Sequence, residues 1–170
     1  MPTSDSDAFA DVLAGNADFA FNFAYQGLTG RAARGLAIVT CMDSRIAPLQ
    51  IVGMEPGDVK ILRNAGARVT DDVVRTLVLA TYLLGVDRVL VMPHTNCRMA
   101  SATEPEIHAQ IKAEFDVDTR SLEFRTVTDQ FDALAYDVNR LRAHPLLPRN
   151  LQVAGGIYDV VTGRLDLQDV

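Results

Sequence analysis

The sequence predicts an α/β protein: a mostly parallel central sheet with flanking helices, a short C-terminal antiparallel edge strand and an N-terminal helical arm. Three observations carry this reading. Residues 36–40 (LAIVT) and 86–92 (VDRVLVM) are short apolar-rich runs of the kind that form strands buried on both faces. Residues 72–84 and 129–143 have helical apolar spacing. The two patterns alternate, as they do where helices cross between parallel strands.

Taken in order, residues 1–30 read as loosely amphipathic helix, with Phe9, Val12, Leu13, Phe19, Phe23 and Tyr25 spread among Ala, Asp and Asn. Ser4 or Ser6 is the expected cap, and Gly15 and Gly27 are expected breaks. Four phenylalanines here suggest an arm that packs on something else, either the body of the protein or a second subunit. The first strand ends abruptly at CMDSR (41–45). A short helix over 47–52 and a turn at Glu55-Pro56-Gly57-Asp58 lead to a second strand, 59–62, which runs into RNAG (63–66). Thr70 or Asp71 caps the helix 72–84, closed by Gly85. The third strand ends at PHTNC (93–97). Thr103 and Glu106 form a capping box for a helix reaching about Phe115. Residues 116–128 read as loop with some extended structure. The helix 129–143 stops at His144-Pro145. A fourth strand, 151–161, turns at Thr162-Gly163 into an edge strand, 164–167. The length, 170 residues, suits one domain, with 1–30 as arm and 31–170 as α/β body.

Composition narrows the function. The chain is 48% hydrophobic with a formal charge of −6 and a pI near 4.9. Its 16 Lys and Arg are scattered, which argues against nucleic acid, and an acidic surface gains nothing at an anionic membrane. The longest apolar-rich stretch, 73–85, is too short to span a bilayer and contains Arg75. The first residues lack a basic and apolar leader, so the expectation is a cytoplasmic protein, in which two cysteines are free or metal-bound rather than paired.

The chemistry lies in two motifs at strand ends, where open α/β sheets bind ligands. The first is C-x-D-x-R (Cys41, Asp43, Arg45); the second is H-x-x-C (His94, Cys97). Two thiolates and an imidazole suit Zn²⁺. Three protein ligands leave a fourth tetrahedral position open, the catalytic pattern, unless Asp43 supplies an oxygen as fourth ligand. Asp43 and Arg45, two apart, can form a carboxylate–guanidinium pair. With the pair intact Asp43 is held from the metal; with the pair broken it can block it.

CMDSR, RNAGARVTDDVVRTL, HTNCRM and VAGGIYDVVTGRL resemble the β-carbonic anhydrase family, in its short prokaryotic branch, from about residue 36 to 167. The resemblance implies that Cys41, His94 and Cys97 are zinc ligands and that Asp43 and Arg45 are a catalytic dyad. It implies a homodimer or higher homo-oligomer with the arm laid across the partner. The reaction it implies is reversible hydration of CO₂ to bicarbonate, with Asp43, oriented by Arg45, accepting a hydrogen bond from the attacking group. Asn64 and Arg98 are candidate pocket residues; many relatives have glycine at the position of Arg98, so Arg98 bears on substrate and rate.

Rival readings stand beside this one. The same scaffold suits hydrolysis of carbonyl sulfide or carbon disulfide, or a non-catalytic zinc-binding homologue with Asp43 on the metal. A redox protein using Cys41 and Cys97 would show a titratable disulfide and no stoichiometric metal. Asp43–Arg45 also reads as a plain ion pair and Arg98 as a solvated side chain. His108 and His144 read as structural or solvated.

Overall fold

The computed structural model describes residues 5–170. Its centre is a five-stranded sheet in the order β2-β1-β3-β4-β5, formed by β1 (Leu36–Cys41), β2 (Val59–Asn64), β3 (Arg88–Met92), β4 (Gln152–Tyr158) and β5 (Leu165–Gln168). The first four are parallel; β5 alone runs antiparallel, on β4. Every residue of β1 is buried, because β1 lies inside the sheet and both of its faces are covered.

Side chains alternate across the pleat. Ala37, Val39, Val89 and Val91 join one core with Val73, Val74 and Leu77 of α4 (Asp71–Leu83) and Leu134, Val138 and Leu141 of α6 (Gln130–Arg142). Leu36, Ile38, Leu90 and Met92 face the other core, with Ile46 and Met99. Burial of each large aliphatic side chain contributes about 1.5–3 kcal/mol.

The helix ends follow local chemistry. Thr70 caps α4 by accepting from Val73 N, and Gly85, at φ +76°, releases the chain afterwards. Glu106 in α5 (Glu104–Phe115) reaches back to accept from the Thr103 N–H at 2.7 Å. Asp129 accepts from Phe131 N and Asp132 N to start α6.

Four expectations differ from what is observed. The arm is helical only as far as Phe21 rather than through residue 30. Gly15 does not break the arm but lies inside α2 (Ala10–Phe21), which follows α1 (Asp5–Ala8); glycine in a helix interior costs about 1 kcal/mol but retains its N–H and does not stop the ladder. Among the described residues, 116–128 contains no strand; Glu104 ties it to α5 by accepting from the N–H groups of Phe124 and Thr126. The fourth strand ends at Tyr158 rather than 161, because the Asp159 carboxylate accepts from Val161 N and Thr162 N and closes a turn. Ser4, one of the two expected caps, lies outside the described residues, as does the side chain of Ser6. Nothing in α2 is buried, and beyond it Phe23 and Tyr25 cluster with Phe19 at ring separations of 5.6–6.4 Å.

Candidate metal centre

The sheet order brings the two motifs together. β1 and β3 are neighbours in parallel register, Thr40 opposite Met92, so Cys41 leaves β1 beside the turn that follows β3. That turn, Pro93 to Cys97, is pinned at several points. His94 bridges Tyr158 beyond β3; its carbonyl accepts from Gln130 Nε2 at 2.7 Å. Asn96 takes φ +54°, a left-handed conformation that Asn tolerates better than most residues. A short helix, α3 (Pro48–Ile51), follows Arg45 and Ile46 on the other strand end.

Cys41 Sγ and Cys97 Sγ lie 3.9 Å apart. With one ring nitrogen of His94 they form a set whose ligand atoms all fall within 4.8 Å of one another. His94 is wholly buried, and its Nδ1 lies 2.8 Å from the Thr95 carbonyl, so Nδ1 carries the proton and donates. That leaves Nε2 as the lone-pair atom, buried and without a hydrogen-bond partner. An orphaned buried nitrogen costs about 1–3 kcal/mol, and a cation held with the two sulfurs would remove that cost. Burial pushes the Cys97 thiol up, an effect only partly offset by a hydrogen bond from Met99 N–H; a bound cation would reverse this by stabilising the thiolate. The residues present therefore fit a metal ion.

Asp43 stands at the edge of this set, Oδ2 3.7 Å from His94 Nε2. Its Oδ1 accepts from Arg45 N and Nε, each at 2.9 Å, and Oδ2 from Arg45 Nη2 at 2.7 Å. These hydrogen bonds from Arg45 hold the Asp43 carboxyl well below the usual carboxylate range. Arg45 Nη2 also donates to the Asn96 carbonyl, joining the two strand ends. An open cleft of about 570 Å³ lies over the site, lined among others by Asp43, Arg45, His94, Cys97, Arg98 and Gln130.

Asn64 is placed differently from the pocket role considered for it. Its amide donates to the Arg68 carbonyl and accepts from Arg68 N, and it is not among the residues lining the cleft. Two supporting residues escaped the sequence reading. Arg63 donates from Nε to the Cys41 carbonyl and from Nη2 to the Asp43 carbonyl. Gln130 holds His94 from α6. Arg63 belongs to the RNAG motif, but only the register, Thr40 opposite Arg63, reveals what it touches; Gln130 has no local signal. His108 is structural: Nδ1 contacts Thr119 Oγ1 at 2.8 Å and the ring lies 5.1 Å from Phe124.

Comparison with known proteins gives the family. The family model described as carbonic anhydrase matches residues 36–165. The chain is 32% identical over 157 residues to beta-carbonic anhydrase 1 of Mycobacterium tuberculosis, covering 92% of this chain and 94% of that one. It is 34% identical over 155 residues to a carbon disulfide hydrolase of Acidianus sp., covering 78% and 76%. Among solved structures, carbonic anhydrase from Streptococcus mutans superposes with a TM-score of 0.87 at 37% identity, covering 99% and 100%. A family match that runs from β1 into β5, joined to a curated relative aligned over nine-tenths of both chains, establishes that this chain belongs to the β-carbonic anhydrase family.

Proposed function

We propose that this protein is a zinc enzyme that reversibly hydrates CO₂ to bicarbonate and a proton, with Cys41, His94 and Cys97 holding the metal. The observation that carries the reading is a three-donor set with an orphaned imidazole nitrogen, opening on a cleft beside an arginine-held carboxylate. Zinc in that position supplies Lewis acidity that makes water nucleophilic near neutral pH. Asp43 is the catalytic carboxylate: Oδ2 accepts the attacking water's hydrogen bond and directs its lone pair toward the substrate carbon. Arg45 keeps that carboxylate ionised and aimed through three hydrogen bonds. The open cleft admits CO₂ and releases bicarbonate, and the proton leaves through it to solvent.

The engagement of both Asp43 oxygens by Arg45 favours an open site over the non-catalytic reading, in which Asp43 is the fourth metal ligand. A second substrate reading has its own support: the 34% identical Acidianus relative is a carbon disulfide hydrolase, and CS₂ is a linear electrophile like CO₂. We further propose a single-domain cytoplasmic protein, arm 1–30 and body 31–170, assembled as a homodimer or larger homo-oligomer. Two buried free cysteines suit a reducing compartment, and no helix of the described residues is long and apolar enough to cross a membrane. Exposed Phe9, Phe19 and Phe21 on the arm suit burial against a second copy.

Stopped-flow hydration of CO₂ between about pH 7 and 9, run beside carbonyl sulfide and carbon disulfide on one zinc-loaded preparation, tests the assignment. CO₂ turnover well above turnover of the sulfur compounds is expected. Turnover of CS₂ alone would transfer the assignment to the second reading, and turnover of none would end both.

A further inference from the structure

We propose that Arg98 is an anion-holding residue of the cleft, a cation that attracts a trigonal monoanion such as bicarbonate. The proposal rests on the reading of this cleft as the place where bicarbonate forms. Arg98 lines the cleft with Asp43 and Arg45. Its guanidinium is held by neutral acceptors only: Nη1 donates to Ser101 Oγ at 2.9 Å and Nη2 to Gln110 Oε1 at 2.6 Å. Both acceptors are themselves fixed. Ser101 Oγ donates to the Arg98 carbonyl, and Gln110 Nε2 to Glu114 Oε1. The Glu114 carboxylate is thus reached only through Gln110, and among the described residues Arg98 makes no ion pair.

The contrast with Arg45 is informative. Arg45 lines the same cleft, but its charge is taken up by Asp43. Asp43 cancels Arg45, so among the charged side chains that line the cleft Arg98 is the one left without a counter-ion, on a chain of net −6. The guanidinium is also already ordered, so capturing an anion costs it little rotamer freedom. A planar fork with N–H groups left over matches a planar oxyanion. Because Arg98 is exposed, water and salt screen it. The expected effect is that of a surface charge contact, about two- to five-fold in affinity, fading at high salt.

Nitrate, a planar monoanion that the enzyme does not turn over, is the probe. Zinc-loaded ¹⁵N-labelled wild type, Arg98→Gln and Arg98→Lys are titrated with sodium nitrate at fixed ionic strength, following the amides of residues 98–101. The KM for bicarbonate dehydration is measured in parallel. We expect the nitrate Kd to rise about two- to five-fold in Arg98→Gln, with the KM rising in step. Arg98→Lys is expected to stay nearer wild type than Arg98→Gln, and high salt to close the gap. Equal Kd in wild type and Arg98→Gln, no saturable shift in wild type, or Arg98→Lys as weak as Arg98→Gln would each overturn the proposal. Absence of dehydration activity alongside the expected nitrate result would refute the assigned reaction and leave the anion site standing.

Discussion

Replacing Arg68 with Met should destabilise this protein more than any surface change. Arg68 Nε donates to Asp137 Oδ2 at 2.7 Å, and the two side chains are only 13% and 3% exposed. Asp137 Oδ1 already has no hydrogen-bond partner. Removal of Arg68 would leave a carboxylate enclosed by protein with neither oxygen satisfied. Breaking a buried pair from one side costs about 3–5 kcal/mol, whereas replacing both partners with apolar groups is often nearly neutral. Asp137→Leu should cost less than Arg68→Met, since Arg68 keeps its bond to the Arg125 carbonyl. The double variant should recover most of the loss. With a urea m-value of about 2 kcal/mol/M, Arg68→Met should lower the unfolding midpoint by about 2 M, measured on zinc-loaded protein at fixed concentration. An Arg68→Met cost below about 1 kcal/mol, or a double variant no better than the worse single one, would show that the stranded Asp137 carboxylate is not what sets the loss.

Asp43→Ala should retain zinc yet lose CO₂ hydration by about a hundredfold or more; stopped-flow rates beside metal analysis check this, and full activity would remove Asp43 from the mechanism. Asp129→Ala removes the acceptor for two N–H groups at the start of α6 and should cost about 1 kcal/mol in thermal or urea unfolding. Glu104 sets a pH dependence. Partial burial raises its carboxyl, but hydrogen bonds from the N–H groups of Phe124, Thr126 and Arg125 outweigh this and leave it below its ordinary 4.5. A carboxyl depressed by folding contributes stability above its unfolded value and loses it as pH falls through the folded one. The stability gap between wild type and Glu104→Gln should therefore be full near neutrality and shrink below about pH 4.5; a gap independent of pH would contradict the sign.

The parts legible in sequence were those written in local pattern. The capping box at Thr103 and Glu106 and the αL release at Gly85 each depend on residues within a few positions. The strand ends could be read because β1 and β3 are apolar runs that stop at Cys41 and before Pro93. The spacing of His94 and Cys97 in one turn brought two donors together, and only the adjacency of β1 and β3 was needed to add Cys41. What remained hidden depends on long-range pairing. Arg68 meets Asp137 across 69 positions, and Gln130 meets the His94 carbonyl across 36; neither follows from periodicity. Asn64 shows the converse. Its place in a recognisable motif suggested a pocket role, yet its amide is consumed by the backbone of Arg68. Gly15 shows that a helix tolerates glycine where length and neighbours sustain it.

Whether two sulfurs and one imidazole hold one metal ion can be read from X-ray absorption at the zinc edge of the purified protein, with metal counted per chain. The expected result is one zinc per chain, with two sulfur neighbours at about 2.3 Å and lighter donors at about 2.0 Å, and loss of the metal on Cys97→Ala. Protein free of stoichiometric zinc when purified without chelator, or zinc whose spectrum contains no sulfur, would contradict it.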